Sequence, residues 1–198
     1  MAPQDLDPGL TDRDDSLLIV IDVQQTFLDK LETDLAQLIV NRIQWLVRAA
    51  SQLRIPIIAT AENKKELGGT VLEIARFFPT KTMEHDKTYF GLAGHSRILS
   101  DVKKTGKNTA VLVGLETDVC VMQSAMGLRQ NGFRVVVLSD ATASPGPCHQ
   151  AGILRMQNAG VIISTVKGLF YEWVRKAGFA GENLDADLLE NPPPGIFL

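Results

Sequence analysis

Residues 111–144 read VLVGLETDVCVMQSAMGLRQNGFRVVVLSDATAS. An apolar, β-branched run reaches a turn, a helical pattern follows over 118–130, and Gly132 precedes a second apolar run, FRVVVLS (133–139). Strands that are apolar without alternation are buried on both faces, and a helix between two of them implies a right-handed βαβ crossover. Cys120 falls where the first strand passes into the helix. A thiol at such a junction has first-turn backbone N–H groups around it, donors that favour a thiolate and can hold a developing oxyanion.

The same alternation extends in both directions. Apolar runs at LLIVI (17–21), IPIIAT (55–60), TAVLVG (109–114), FRVVVLS (133–139) and VIIST (161–165) read as parallel strands. Helical patterns fall at about 34–53, 93–105, 118–130, 148–158 and 167–176, with a further short helix at 70–78. Gly106, Gly132 and Gly160 follow three of these helices, as helix-terminating glycines do. The expectation is an α/β fold, a three-layer α/β/α sandwich around a doubly wound, mainly parallel sheet of Rossmann-like type. In such sheets the loops after the strands gather at one edge and ligands bind in the crevice there. Asp22 ends the first strand and Cys120 follows the strand at 109–114, so one crevice can hold both.

Composition narrows the function classes. With 198 residues and 45% apolar content the chain can bury one good core and leaves little room for a second. Net charge is −3 with neither a basic stripe nor an aromatic-and-lysine patch, which argues against nucleic acid as a partner. No apolar run approaches the ~18 residues of a membrane span. Residues 1–15, MAPQDLDPGLTDRDD, are acidic and Pro/Gly-bearing, unlike a secretory or transit segment, and read as a flexible arm on a cytoplasmic protein. A single domain over 16–190 and a Pro-rich tail over 191–198 complete the layout. Two cysteines make no disulfide framework, and Cys148, at the start of a helix, reads as a structural or partly exposed thiol, with a redox partnership to Cys120 as the alternative.

Taken singly, a strand-end aspartate is a cap, a lysine a surface charge and a cysteine a small apolar group. Together the motifs say more. IDVQQTF (21–27), DKTYFG (86–91) and the stretch from Gly114 to Ser144 stand in the order and spacing of the isochorismatase-like cysteine hydrolases, the superfamily that includes nicotinamidases and N-carbamoylsarcosine amidases. The chain resembles that superfamily from roughly Ser16 to Arg175.

The resemblance implies a catalytic set of Asp22, Lys87 and Cys120. Asp22 takes the thiol proton, Lys87 stabilises the thiolate, and Cys120 attacks a carbonyl or imine-like carbon, expelling an amine or ammonia and leaving a thioester for water. The nearness of Lys87, on the long loop after the second strand, follows from the resemblance and not from periodicity. It also implies a cis peptide between Leu115 and Glu116, with the N–H groups of Glu116 and Cys120 as oxyanion donors, and the Glu116 side chain facing outward or paired with a basic neighbour. Phe27, Glu62, Tyr89 and Phe90 are candidate pocket residues; core for the aromatics and a solvated strand-end charge for Glu62 are the alternative readings.

Nicotinamidases carry an Asp-x-His motif and a further His that bind a divalent ion, whereas the corresponding stretch here, ATAENKKELGGTV (59–71), has no histidine. It resembles instead the metal-free isochorismatase-domain proteins, so no catalytic metal and no cofactor are expected. His85, His95 and His149 are scattered and read as surface or satisfied core residues. True isochorismatases, which cleave a vinyl ether, lack the cysteine, so C–N hydrolysis of a small molecule is the expectation. A binding or scaffold protein, a thiol redox protein and a nicotinamidase-like amidase are the alternatives. The superfamily also implies a homo-oligomer, to which GLFYEW (168–173) contributes either interface or core.

Overall fold

The computed structural model describes residues 9–198. Six strands form one sheet in the order β3-β2-β1-β4-β5-β6, with every neighbouring pair parallel: β1 Ser16–Ile21, β2 Ile57–Glu62, β3 Met83–Lys87, β4 Thr109–Leu115, β5 Arg134–Ala143 and β6 Ile162–Ser164. Five helices of nine or more residues flank it: α1 Thr33–Gln52, α2 Ser96–Lys104, α3 Met122–Gln130, α4 Cys148–Asn158 and α5 Val166–Val174. The expected three-layer α/β/α architecture is present.

Each face of the sheet carries its own core. On one, Leu18 and Val20 of β1, Val111 and Val113 of β4 and Val136 of β5 pack against α1 and α5. On the other, Leu17, Ile19 and Ile21 of β1, Ala110 and Leu112 of β4 and Val135 of β5 meet α2, α3 and α4. The inner strands are thus apolar at successive positions because alternate residues enter different cores. Helix α1 buries Ile39, Ile43, Leu46 and Ala50, one stripe at helical spacing. The aromatics of GLFYEW divide: Phe170 and Trp173 lie in the first core, whereas Tyr171 is exposed, so the segment's two largest buried rings serve the core. The Trp173 indole donates to Ser16 Oγ at 3.1 Å.

Five expectations are corrected or refined. The segment bearing Lys87 is not a loop: residues 83–87 form β3, an edge strand in register with β2, with Glu62 opposite Lys87. Its sequence, MEHDK, is polar because an edge strand is only partly covered, and it lacks the apolar run that marked the others. The strand expected over 133–139 continues to Ala143 past an irregularity, where Leu112 pairs with Val137 but Gly114 pairs with Thr142. Finally, the arm expected over 1–15 does not extend to its end. Residues 1–8 lie outside the described residues, but Thr11 N donates to Glu172 Oε2 at 2.6 Å and Arg13 Nη1 donates to the Trp173 carbonyl at 3.0 Å. The tail over 191–198 is also anchored, through buried Ile196 in the first core. The helix expected at 70–78 is a single turn, Leu72–Ala75.

Candidate active site

The strand order reverses between β1 and β4, since the chain leaves β1 toward β2 and β3 and returns to β4 on the other side of β1. The carboxyl edge at that reversal is where an open parallel sheet leaves a crevice. Asp22 and Cys120 both follow strands that end there.

The sheet reaches this arrangement through a close backbone approach. Gly114 pairs with Ile21 at φ 121°, and a Cβ built on it would stand 1.9 Å from the Ile21 carbonyl oxygen. Only glycine fits. Immediately beyond, Asp22 adopts φ 47°, a left-handed conformation that aspartate tolerates better than most residues. Strand alternation would send its side chain away from the face that Ile21 occupies. The left-handed backbone breaks that alternation, and the carboxylate meets Thr60 and Lys87 instead.

Those contacts are short and dry. Thr60 Oγ1 donates to Asp22 Oδ1 at 2.7 Å, and Lys87 Nζ lies 2.6 Å from Asp22 Oδ2, both charged side chains having no exposed surface. Lys87 Nζ also donates to the Tyr89 carbonyl at 3.3 Å. Burial pushes the Asp22 carboxyl above the usual range, and the Lys87 charge and hydrogen bonds from Lys87, Thr60 and Cys120 pull against it.

Cys120 sits in a π-type turn, Thr117–Val121, that leads into α3, after a cis peptide between Leu115 and Glu116. Its thiol donates to Glu62 Oε2 at 3.5 Å, and the reactive atoms of Asp22, Glu62 and Cys120 lie within 4.8 Å of one another. The expected thiolate is corrected here. Burial above all, then the Asp22 charge, raises the thiol well above its ordinary value, with Lys87 opposing and Glu62 adding to the rise.

The turn is clamped from outside. Ser144 Oγ donates to Asp118 Oδ1 at 2.6 Å, and Thr117 Oγ1 pairs with His149 Nδ1 at 2.9 Å. Helix α4 approaches so closely that a Cβ on Gly152 would stand 2.8 Å from Asp118 Cα. The extension of β5 to Ala143 is what carries Ser144 to this point.

Glu62 is fixed by a residue whose role the sequence did not disclose. The buried Gln24 amide accepts from Glu62 N at 2.7 Å through Oε1 and donates through Nε2 to the Glu62 carbonyl at 2.9 Å and the Gly68 carbonyl at 2.7 Å. A fully buried glutamine whose amide is satisfied by backbone holds that backbone still. The signal available beforehand was only its place in IDVQQTF.

The other candidate pocket residues are placed less closely. Phe27 belongs to the core on the α1 face, with Lys30 Nζ 4.7 Å from its ring centroid; Cys120 belongs to the core on the opposite face. Lys30 also pairs with Glu116 at 2.7 Å, so Glu116 has the basic neighbour expected of it. Tyr89 and Phe90 are 64% and 46% exposed, and Tyr89 reaches the site through its carbonyl while its ring packs edge-on against His95. The histidines are engaged separately. His85 stands 3.8 Å from Asp101, His95 Nε2 accepts from the amides of Thr88 and Tyr89, and His149 pairs with Thr117. Among the described residues, the side chains grouped closely enough to share a metal ion are Asp22, Glu62 and Cys120, and one Asp22 oxygen already faces the Lys87 ammonium. Cys148 is a free, exposed thiol.

The chain is similar to known proteins over most of its length. The chain is 32% identical over 165 residues to isochorismatase family protein 2A of Dictyostelium discoideum, covering 78% of this chain and 80% of that one. A Caenorhabditis elegans structure described as MAR1 ribonuclease superposes with TM-score 0.84 at 27% identity, covering 96% of this chain and 98% of that one. Escherichia coli YcaC, described as an octameric hydrolase of unknown specificity, superposes with TM-score 0.83 at 25% identity, covering 94% and 92%. Residues 16–168 match the isochorismatase domain, and the chain belongs to that family.

Proposed function

We propose that this protein is a hydrolase that cleaves a C–N bond of amide type in a small molecule through a thioester on Cys120. The observation that carries the reading is the fully buried Asp22–Lys87 pair, 2.6 Å apart, beside a buried thiol at the sheet's switch point. A buried ion pair is a poor device for stability alone, because desolvation offsets most of its attraction. Its worth lies in the proton chemistry it permits.

In the reaction, the Cys120 thiol proton passes to Asp22 as sulfur bonds to the substrate carbonyl carbon and the carbonyl oxygen becomes an oxyanion. The N–H groups of Glu116 and Cys120 are its donors in this reading, and one such donor is worth about 3–4 kcal/mol. Collapse of the oxyanion breaks the C–N bond, and the departing nitrogen takes the proton from Asp22. Water then attacks the thioester, Asp22 accepts a water proton, the C–S bond breaks, and the sulfur recovers that proton, leaving a carboxylic acid. Burial suits Asp22 to holding a proton transiently, since its carboxyl already lies above the ordinary range. Lys87 keeps its charge throughout and offsets the negative charge that passes between oxygen and sulfur.

The catalytic residues in this reading are Asp22, Lys87 and Cys120. A homo-oligomer belongs to the same reading, supported by the octameric description of the E. coli neighbour. A ribonuclease function, which the C. elegans neighbour's description would suggest, finds no support in a net charge of −3.

The test is a panel of small primary amides, nicotinamide included with and without added zinc or manganese, followed by ammonia release and intact mass. Ammonia release together with a Cys120 acyl adduct, both lost in Cys120→Ala, supports the reading. Release from nicotinamide only with metal would favour a nicotinamidase. Neither ammonia nor adduct across the panel would favour a binding or scaffold protein.

A further inference from the structure

Glu62 is the carboxylate in this cluster that neither the proton transfer nor the ion pair uses. It lies at the end of β2, partly exposed, with Oε2 3.5 Å from Cys120 Sγ. Three features fix it there. The Gln24 amide holds both its backbone groups, the next residue's amide, Asn63 N, donates to the Lys87 carbonyl at 2.9 Å, and its register partner across the sheet is Lys87. Among the described residues no basic side chain forms an ion pair with it: Lys87 is engaged by Asp22, and the nearby Lys64 pairs with Glu84. Asp22 and Lys87 cancel at 2.6 Å, so the net charge of the three groups is the single negative charge of Glu62.

We propose that Glu62 is the specificity-determining residue of this site, accepting an N–H hydrogen bond from a substrate nitrogen within two bonds of the carbon that Cys120 attacks. The inference rests on the hydrolase reading and deepens it by naming a substrate class. With Sγ and Oε2 3.5 Å apart, an electrophilic carbon bonded to Sγ can direct a neighbouring N–H at Oε2 within hydrogen-bond distance. A carboxylate there accepts and cannot donate, so it rewards an amide, ureide or ammonium N–H and repels a carboxylate at the same place. Substrates are therefore neutral or cationic N–H donors. Glu62 transfers no proton in this reading.

Two isosteric reagents test this without knowledge of the substrate. Iodoacetamide and iodoacetate alkylate a thiol in the same way: the S–C bond forms, iodide leaves and the thiol proton goes to solvent. They differ only in carrying a primary amide or a carboxylate beside the reacting carbon. Both rates are measured at Cys120 and Cys148 of the full chain by peptide mass mapping between pH 8 and 9. Cys148, exposed and free, is the reference within the same molecule. The quantity read is the ratio of iodoacetamide to iodoacetate rates, from which the thiolate fraction of each cysteine cancels.

The expected result is a ratio at Cys120 at least about tenfold above that at Cys148, the size of one charged hydrogen bond. Glu62→Gln should bring the two ratios together, and Glu62→Asp should keep part of the difference. A high ratio at Cys120 that Glu62→Gln leaves unchanged overturns the role of Glu62 while leaving the nucleophile in place. Cys120 resistant to both reagents and carrying no acyl adduct from the amide panel, with Cys148 labelled, sinks the nucleophile and the specificity role together.

Discussion

Around Cys120, charge acts in opposite directions on one thiol, and each direction has its own consequence. Asp22 raises the thiol and Lys87 lowers it. Asp22→Asn should therefore increase the thiolate fraction and speed iodoacetamide labelling of Cys120 at pH 8, while on the proposed mechanism amide turnover falls by about 10²–10⁴ as the proton acceptor is lost. Lys87→Ala should slow both. A common slowing of labelling in the two variants would contradict the charge assignment. Each leaves a buried charge unpaired at about 3–5 kcal/mol, so the rates are compared well below the melting temperature. The same thiol ties stability to alkaline pH. Its folded value lies above the ordinary 9.0, so the unfolded chain loses this proton first. The stability it contributes is present in full below pH 9 and is lost as pH rises beyond, by about 1.4 kcal/mol per unit. Cys120→Ala should flatten the fall in melting temperature between pH 9 and 10 relative to wild type. Asp22 and Cys120 were legible in the sequence because each follows an apolar run, but Lys87 ends a strand with no apolar signature and was reachable only through the family resemblance. Gln24 and Thr60 stayed silent, since what a buried amide or hydroxyl bonds depends on which strands become neighbours.

The elements that carry these groups are held apart by tolerances smaller than a methyl group. At Gly114, a methyl 1.9 Å from the Ile21 carbonyl cannot be accommodated by rotamer changes, because both partners are backbone. Gly114→Ala should force β1 from β4 at the site and yield little folded protein, measured by circular dichroism and soluble yield. Gly152→Ala is the graded version. Its methyl would meet Asp118 Cα at 2.8 Å, so α4 or the Cys120 turn must shift by a few tenths of an ångström. The expected outcome is a loss of about 1–3 kcal/mol, with Cys120 labelling altered although no side chain at the site has changed. A protein of wild-type stability and labelling would show that α4 does not set the turn. Element types at the centre of the sheet were readable because burial on both faces demands continuous apolar residues. The extension of β5 through SDATA was not, since an irregularity over 137–142 has no periodic signature.

At the scale of the whole molecule, the family match ends at residue 168 but the folded body does not. Beyond it, α5 and the segment to Ile196 wrap the outer side of α1, where Leu184, Leu188 and Ile196 enter the core and the Trp45 indole donates to the Leu188 carbonyl at 2.8 Å. Gln52 and Arg48 of α1 secure the same segment through Asp185 and Asp187. Helix α1 is amphipathic, yet Trp45, Trp173 and Phe170 would have too little cover without this wrap; the Trp45 and Phe170 rings lie 5.0 Å apart beneath it. The C-terminal segment is thus part of the core on the α1 face. Leu188 is fully buried, so Leu188→Ala should cost about 2–5 kcal/mol. Because the loss arises on the α1 face, opposite the core that contains Cys120, the charge logic of the site should survive it. Chemical denaturation followed by tryptophan fluorescence gives the stability, and the iodoacetamide-to-iodoacetate ratio at Cys120 gives the site. A lowered midpoint with an unchanged ratio is the expected pair. An unchanged midpoint would mean that the segment rests on a domain already complete at its family boundary.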